Sequence, residues 1–299
     1  CRLWVGEVWS GPILDDHFHL RIDGRGVDAA RDFERSGGTD LILVHVPSFT
    51  DLPRNEAQIN DAYDQTLVMA DRVREETNLS VRVLLGPHPA IIPHLASHLN
   101  GEGDSDSLTS ACEIHRRSVE IAAERFEEGE CVGIGEIGRP HWTVENDVHE
   151  ACEGAFVEAL CIAKEVGATV QLHVESGFEK VYADLEPIVR LHGPPLDQVV
   201  RHHAPAMIGE QTHGLVPSII LGSGDIPTLV EQIESHPSAP FLLETDYMDD
   251  PRRPGAVLGP RTVPRRTQAL FEHGVDEKIL WSAHSDLPDR LYGPADDRP

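Results

Sequence analysis

Basic residues are scarce in this 299-residue sequence. Lysine occurs only at Lys164, Lys180 and Lys278, and 25 basic residues face 51 acidic ones, which gives a formal net charge of −26. An acidic surplus of this size repels itself unless counterions screen it, and molar salt shortens the screening length to about 3 Å. We therefore expect adaptation to high salt, with an ordinary acidic cytosolic protein as the alternative.

Several other features are missing. No run approaches the roughly 18 apolar residues that a membrane span needs, and no basic segment followed by an apolar one marks a signal peptide at the beginning of the sequence. The five cysteines are odd in number and none has CxxC spacing, so neither a disulfide framework nor a zinc knuckle is indicated. These absences predict a cytoplasmic protein without a membrane partner.

Apolar, β-branched runs alternate with helical patterns along nearly the whole chain. Eight such units in succession predict an α/β fold of the (β/α)8 TIM-barrel type. The alternative is an open doubly wound sheet, but no glycine-rich phosphate loop follows the first strand. We expect one barrel domain over residues 13–293, an extension over 1–12 and a tail over 294–299. The strand candidates are Ile13–His19, Asp40–Val46, Ser80–Gly86, Cys131–Ile137, Thr169–Val174, Gln198–His203, Ser218–Gly222 and Pro240–Asp246.

Metal-binding residue types recur where these strands end. His17 and His19 are two positions apart, so alternation along a strand points both imidazoles the same way. Glu136, His173 and Asp246 each close a later strand. Barrel active sites are built at the carboxyl ends of the strands. Nitrogen and oxygen ligands without thiolate suit a divalent ion such as Zn²⁺, Mn²⁺ or Mg²⁺.

Further polar residues near the strand ends leave alternatives open. Strand six ends in His202-His203, and alternation lets only one of them point inward. His88, near the end of strand three, is expected either to contact substrate or to pack within its loop. Glu244 shares a strand face with Asp246 and, if buried, needs a partner.

An arginine cluster follows strand eight. No acidic residue occurs from Pro251 through Phe271, although the chain as a whole is strongly acidic. Guanidinium groups beside a metal site predict recognition of a phosphate or carboxylate, and ion pairing with the acidic surface is the alternative. The arginines are Arg252, Arg253, Arg261, Arg265 and Arg266, of which the first three are the predicted substrate contacts.

The motifs together resemble the TatD-related metal-dependent hydrolases of the amidohydrolase superfamily, above all their archaeal branch. The resemblance runs from about Ile13 to Gly293. It rests on the HxH pair at His17 and His19, Gly86-Pro87-His88-Pro89, Gly135-Glu136-Ile137-Gly138, His173 and Glu244-Thr245-Asp246.

The resemblance implies a site for two divalent metal ions. His17 and His19 would hold one ion and His173 and His203 the other, with Glu136 between them. His203 is preferred over His202 because it takes the last position of the strand, as in that family. Asp246 would bind metal and orient or deprotonate the attacking water, so Asp246 and Glu136 are the expected catalytic residues. Two metals about 3.5–4 Å apart can activate water and clamp a phosphoryl oxygen.

The chain departs from the bacterial pattern at two places beside the site. Arg139 follows Gly138 where Leu-Asp is usual, and Ala-Pro-Ala follows His203 where a Cys-Phe-Ser-Gly run is usual. These changes bear on nuclease activity more than on the metal site.

The expected activity is hydrolysis of phosphoester bonds, as by a TatD-like deoxyribonuclease or a related phosphoesterase. The alternatives are amide or lactone hydrolysis or deamination of a small molecule, which the scaffold also supports, and a metal-binding protein without turnover. An anionic small molecule or a short nucleic acid is the expected partner, because a long duplex binds through cations that this chain lacks. Metal identity and oligomeric state stay open.

Overall fold

An eight-stranded parallel sheet forms the centre of the protein in this computed structural model, which describes residues 8–250 and 258–295. Each strand pairs with the next one in sequence, and a parallel bridge between Phe18 and Tyr247 brings the last strand back to the first. The predicted (β/α)8 barrel is confirmed, and every predicted strand lies within two residues of its observed bounds. The strands are β1 (Leu14–Phe18), β2 (Asp40–Val44), β3 (Ser80–Leu85), β4 (Gly133–Gly138), β5 (Thr169–His173), β6 (Val199–Ala204), β7 (Val216–Ile220) and β8 (Leu242–Glu244).

Helices follow the strands and cover the outside of the barrel through their apolar faces. One of them, α3, has Pro93 in its first turn, where proline is tolerated. None of the helices in the described part of the chain is long and apolar enough to cross a membrane. They are α1 (Val27–Glu34), α2 (Glu56–Glu76), α3 (Ile91–Gly101), α4 (Ser107–Glu127), α5 (Asn146–Val166), α6 (Glu179–His192), α7 (Ile226–Ser235), α8 (Thr262–Glu272), α9 (Glu277–Trp281) and α10 (Leu287–Tyr292).

The C-terminal helix α10 closes the amino-terminal end of the barrel. Its Leu287, Leu291 and Tyr292 pack with the inward-facing apolar residues of the strands. Thr169, at the start of β5, donates a hydrogen bond to the Leu291 carbonyl at 2.5 Å. Since apolar side chains fill this end, the polar groups of the interior are concentrated toward the opposite end, where the strands finish.

Part of the expected N-terminal extension packs on the barrel. Trp9 is buried, its backbone N–H donates to Gln268 on α8 at 2.9 Å, and its ring contacts Phe271 and Trp281. Residues 1–7 of that extension and residues 296–299 of the expected tail lie outside the described residues.

Side chains reinforce the seam between β1 and β8. Asp15 accepts hydrogen bonds from the backbone N–H and the hydroxyl of Thr245, at 2.9 and 2.7 Å. Asp249, just beyond β8, accepts from three backbone N–H groups within residues 21–26, at 3.2, 2.8 and 2.8 Å. The loop after the last strand is thereby fixed to the loop after the first.

Candidate metal centre

Glu136 lies in the mouth of the barrel with a pair of imidazoles at each carboxylate oxygen. Its Oε1 is 3.3 Å from Nε2 of both His17 and His19. Its Oε2 is 2.7 Å from Nδ1 of His173 and 3.3 Å from Nε2 of His202. One buried carboxylate from β4 thus contacts two separate histidine pairs, one from β1 and one from β5 and β6.

Asp246, just after β8, faces the same cluster. Its Oδ1 is 3.6 Å from His19 Nε2 and 4.0 Å from His17 Nε2. The backbone of Asp246 has φ 48°, a left-handed conformation that is uncommon outside glycine. Strained backbone of this kind is common at functional sites, where the surroundings hold a side chain in place.

The two histidines of strand six take different positions. His202 is buried and contacts Glu136, whereas the side chain of His203 is 44% exposed and its Nε2 is 3.8 Å from Asp246. Val200 packs in the barrel interior, so alternation turns His202 inward as well. At His203 the backbone reaches φ 53° and leaves the strand geometry. The sequence-based preference for His203 therefore disagrees with this geometry, which brings His202 into the cluster.

Three histidines of the cluster have their outer ring nitrogen held by an acceptor. In each case Nδ1–H donates to an oxygen outside the cluster and Nε2 faces the mouth, which is the arrangement of metal-ligating histidines. The pairs are His17 with Gln171 Oε1 at 2.7 Å, His19 with the Val44 carbonyl at 2.9 Å, and His202 with Glu244 Oε1 at 3.3 Å. Glu244 Oε1 also accepts the His203 backbone N–H at 2.8 Å, whereas the buried Oε2 has no hydrogen-bond partner among the described residues.

In His88 the roles of the two ring nitrogens are reversed. Its Nδ1 accepts a hydrogen bond from the Ala90 backbone N–H at 3.0 Å, so the neutral ring carries its proton on Nε2. That Nε2 is 3.6 Å from Glu136 Oε2. In this state His88 donates into the site and has no free lone pair there for a metal.

Attraction between the carboxylates and the imidazoles outweighs the effect of burial on several pKa values in the cluster. Burial acts to raise the pKa of Glu136, but His88 and His202 outweigh it and hold that pKa well below its usual range. Burial likewise opposes the ionisation of Asp246, yet its contact with His19 and the nearby His202 lower its pKa to about 2. Burial acts to lower the pKa of His19, but contacts with Asp246 and Glu136 raise it to about 10. A divalent cation bound here would displace imidazole protons, so metal affinity depends on pH.

Sequence reasoning did not identify His141, which contacts the cluster from the loop after β4. Its Nδ1 is 2.6 Å from Nε2 of His173. A Cβ at Gly138 would lie 2.0 Å from the His173 carbonyl oxygen, so only glycine lets this loop approach β5 so closely. Arg139 then fixes the loop through two hydrogen bonds to Glu175, at 3.0 and 3.1 Å. The unusual residues after Gly138 were the available signal.

The predicted arginine contacts are only partly described. Arg252 and Arg253 lie outside the described residues. Arg261 pairs with Asp32 on α1 at 2.8 Å, and Arg266 donates to the Leu221 carbonyl at 3.0 Å. The contact of Arg261 is the surface ion pairing that the sequence left as the alternative.

The donor set fits divalent metal ions. Three groups of three ligand atoms within 4.8 Å of one another can be chosen from the described residues, and the groups overlap at His17 and Glu136. Imidazole nitrogen and carboxylate oxygen are the ligands that Zn²⁺ and related ions take in catalytic sites. The groups are His17, His202 and Asp246; His17, His19 and Glu136; and His88, Glu136 and His173, to which His88 can offer a lone pair only if Nε2 gives up its proton.

A (β/α)8 barrel with such a histidine–carboxylate cluster at the carboxyl ends of its strands is an architecture of metal-dependent hydrolases. A model of the TatD related DNase family matches residues 14–293, and the chain belongs to that family. The resemblance that the motifs indicated is therefore confirmed.

Individual relatives are similar to the chain over nearly its whole length. An uncharacterized protein of Methanocaldococcus jannaschii is 30% identical over 288 residues, which cover 95% of this chain and 96% of that protein. Among solved structures, a TatD homologue of Escherichia coli is similar with a TM-score of 0.60 at 20% identity, covering 94% of this chain and 97% of that one. A TatD-like protein of Archaeoglobus fulgidus has a TM-score of 0.58 at 16% identity, over 93% and 99% of the two chains.

Proposed function

We propose that the protein hydrolyses phosphoester bonds with two divalent metal ions in the barrel mouth. His17 and His19 would hold one ion, His173 and His202 the other, and Glu136 would lie between them. The observation that carries this proposal is the placement of Glu136, whose two oxygens each contact a different histidine pair. Ligands from two pairs around one carboxylate suit a two-metal site better than a single ion.

The side chains divide the chemistry among them. When bound, the metal ions supply Lewis acidity, which lowers the pKa of water and polarises the phosphoryl group. Asp246 accepts the proton of the attacking water, since its depressed pKa keeps it ionised and it faces the cluster. His88 donates from Nε2 to a substrate oxygen near Glu136.

Charge favours a short or terminal phosphoester over a long duplex. The net charge of −26 repels a polyanion at low salt, and high salt weakens the attraction between phosphates and cations. Arg261 already has a carboxylate partner. Arg252 and Arg253 remain anion contacts expected from the sequence alone.

The test starts from the metal content of the purified protein. Metal-loaded protein is then assayed against bis(p-nitrophenyl) phosphate, short oligonucleotides and a panel of lactones. We expect phosphoester cleavage that His17→Ala abolishes together with bound metal, while His213→Ala, away from the cluster, keeps both. Turnover of lactones alone would favour the small-molecule alternative, and a full metal load without turnover would favour a non-catalytic protein.

A further inference from the structure

A cavity of about 800 Å³ adjoins the first histidine pair of the candidate metal centre, and we call it the side cavity. Its wall includes residues 20–23, which follow His19 directly, and residues 45–48, which follow β2. Nδ1–H of His19 donates to the Val44 carbonyl at 2.9 Å, so the two segments begin side by side at the cluster. The volume is in the range of small-molecule sites, about 300–1,000 Å³.

One face of α2 forms another wall of the side cavity. The lining positions lie three, four, seven and eight residues after the first, which is the spacing of a single helical face. This face carries two amides, a carboxylate and a hydroxyl, so it suits a polar ligand. The residues are Gln58, Asp61, Ala62, Gln65 and Thr66.

The charged residues that line the side cavity are mostly acidic. Asp23, Asp51 and Asp61 are accompanied by a single base, Arg21, and that base pairs with Asp23 at 2.9 Å. Asp51 and Asp61 form no ion pair with the described cations. Their carboxylates repel an anion and attract a cation, so the charge of the side cavity is complementary to a cationic group.

A neutral histidine adds a further acceptor to the side cavity. The ring of His45 lines the cavity and is 5% exposed, and burial lowers its pKa to about 3. The Thr66 hydroxyl donates to the Ala62 carbonyl at 3.5 Å, so Nδ1–H of His45 donates to that hydroxyl at 2.8 Å. Nε2 of His45 therefore carries the lone pair, and none of the described residues donates a hydrogen bond to it. A ligand that supplies a donor would satisfy this nitrogen.

We propose that the side cavity binds a primary ammonium group, and that the substrate is a phosphodiester in which one ester group carries an aminoalkyl chain. The proposal rests on the proposed phosphoester hydrolysis and names its substrate class. Nε2 of His45 and the carboxylates of Asp51 and Asp61 are all acceptors, and a primary ammonium supplies three N–H donors and a positive charge. The phosphoryl group would lie at the metals, and the chain would extend past His19 into the side cavity.

The test compares p-nitrophenyl phosphodiesters that differ only in the ammonium group. The 2-aminoethyl ester is paired with the propyl ester and the 4-aminobutyl ester with the pentyl ester, so that a methyl group replaces the ammonium in each pair. Release of p-nitrophenolate by metal-loaded protein, at one fixed KCl concentration, gives kcat/KM. We expect the ammonium to raise kcat/KM by about tenfold or more in at least one pair, as a hydrogen bond to a charged group does.

Substitutions in the side cavity should lower this ratio. Asp61→Asn removes a negative charge, and His45→Phe removes the acceptor nitrogen but keeps a ring against Tyr63. Each should reduce the preference for the aminoalkyl ester severalfold. Glu75→Gln is the matched control, because Glu75 is an exposed acid on α2 that does not line the side cavity. This variant should keep the ratio of the wild type.

The outcomes separate the subsite from the proposed function. A ratio near one at both chain lengths, or a ratio that survives Asp61→Asn and His45→Phe, would overturn the subsite, and cleavage of bis(p-nitrophenyl) phosphate would then leave the proposed function standing. If none of the esters is cleaved, that function fails, and equilibrium dialysis of the same pairs decides on the subsite. Tighter binding of an aminoalkyl ester that Asp61→Asn weakens would uphold it, and equal binding within each pair would refute it.

Discussion

His141 and His173 share a hydrogen bond between Nδ1 and Nε2 at 2.6 Å. The other nitrogen of His173 faces Glu136 at 2.7 Å. When Nε2–H of His173 donates in this contact, the Nδ1 lone pair of His173 faces Glu136 and is available to a metal. His141 holds His173 as Gln171 holds His17, but from a loop.

We expect His141→Phe to weaken metal binding. The ring volume is retained while the hydrogen bond to His173 is lost, and loss of such an outer partner costs about 10–100-fold in metal affinity. Competitive titration with a chromophoric chelator measures the change. His273→Phe, at an exposed position beyond α8, is the control. An unchanged dissociation constant in His141→Phe would show that His173 needs no outer partner.

Mutation can distinguish the roles of His202 and His203 in metal binding. His202→Ala should lose one metal ion because Nε2 of His202 faces Glu136. His203→Ala should keep the full load, since its side chain is 44% exposed and its Nε2 is 3.8 Å from Asp246. Metal content after dialysis distinguishes them, and the reverse pattern would restore the assignment expected from the end of the strand.

Asp246→Asn tests the proposed proton acceptor. Asparagine keeps the shape of the side chain but cannot accept the proton from water. We expect at least one metal ion to remain bound while kcat for bis(p-nitrophenyl) phosphate falls by about 10² or more, the usual scale of general base catalysis. Near-normal kcat would mean that another group activates the water, with His88 the next to examine.

A buried histidine far from the cluster sets a pH dependence of stability. Both ring nitrogens of His115, on α4, lack a hydrogen-bond partner among the described residues, and burial lowers its pKa from 6.5 to about 4. Between about pH 6.5 and pH 4, His115 is therefore protonated in the unfolded chain but neutral in the folded protein. The free energy of unfolding falls as the pH drops through this range.

His115→Leu should remove this contribution. Between pH 7 and pH 5 the wild type should lose on the order of 1–2 kcal/mol more unfolding free energy than the variant. Urea unfolding at the two pH values measures the difference, and His149→Leu, exposed on α5, controls for replacing a helical histidine. Parallel losses in wild type and His115→Leu would refute the argument.

Salt should stabilise the fold. With 51 acidic and 25 basic residues, self-repulsion at low ionic strength opposes the compact state. We expect the melting temperature to rise from about 0.1 to 2 M KCl as the Debye length shrinks. Equal concentrations of sorbitol control for general solute effects. A flat profile would contradict adaptation to high salt.

The barrel was predictable because its sequence pattern is periodic and occurs eight times. Eight apolar runs alternate with amphipathic segments, and each run needs cover on both faces. Helix α3 has a weak sequence signal because Ile91–Gly101 is short and begins next to a proline-rich turn. Helices α9 and α10 are too short, at 5 and 6 residues, to show a helical period of apolar residues.

The cluster was predictable by residue type but less so by direction. His17, His19, Glu136 and Asp246 all come together in the mouth. At strand six the position in the sequence favours His203, whereas alternation counted from Val200 favours His202. Irregular register near these strand ends limits such counting, because a bulge can turn two consecutive side chains inward. His141 was not foreseen because it lies in a loop, where no period applies.

The seam between β1 and β8 gives the candidate metal centre a second consequence. His17 and His19 belong to the first strand and Asp246 follows the last, so a cation held by all three would cross-link segments more than two hundred residues apart in the chain. Such a cation binds the closed barrel and not the unfolded chain, and its concentration therefore enters the folding equilibrium. Resistance to proteolysis would then report metal occupancy without any substrate being turned over.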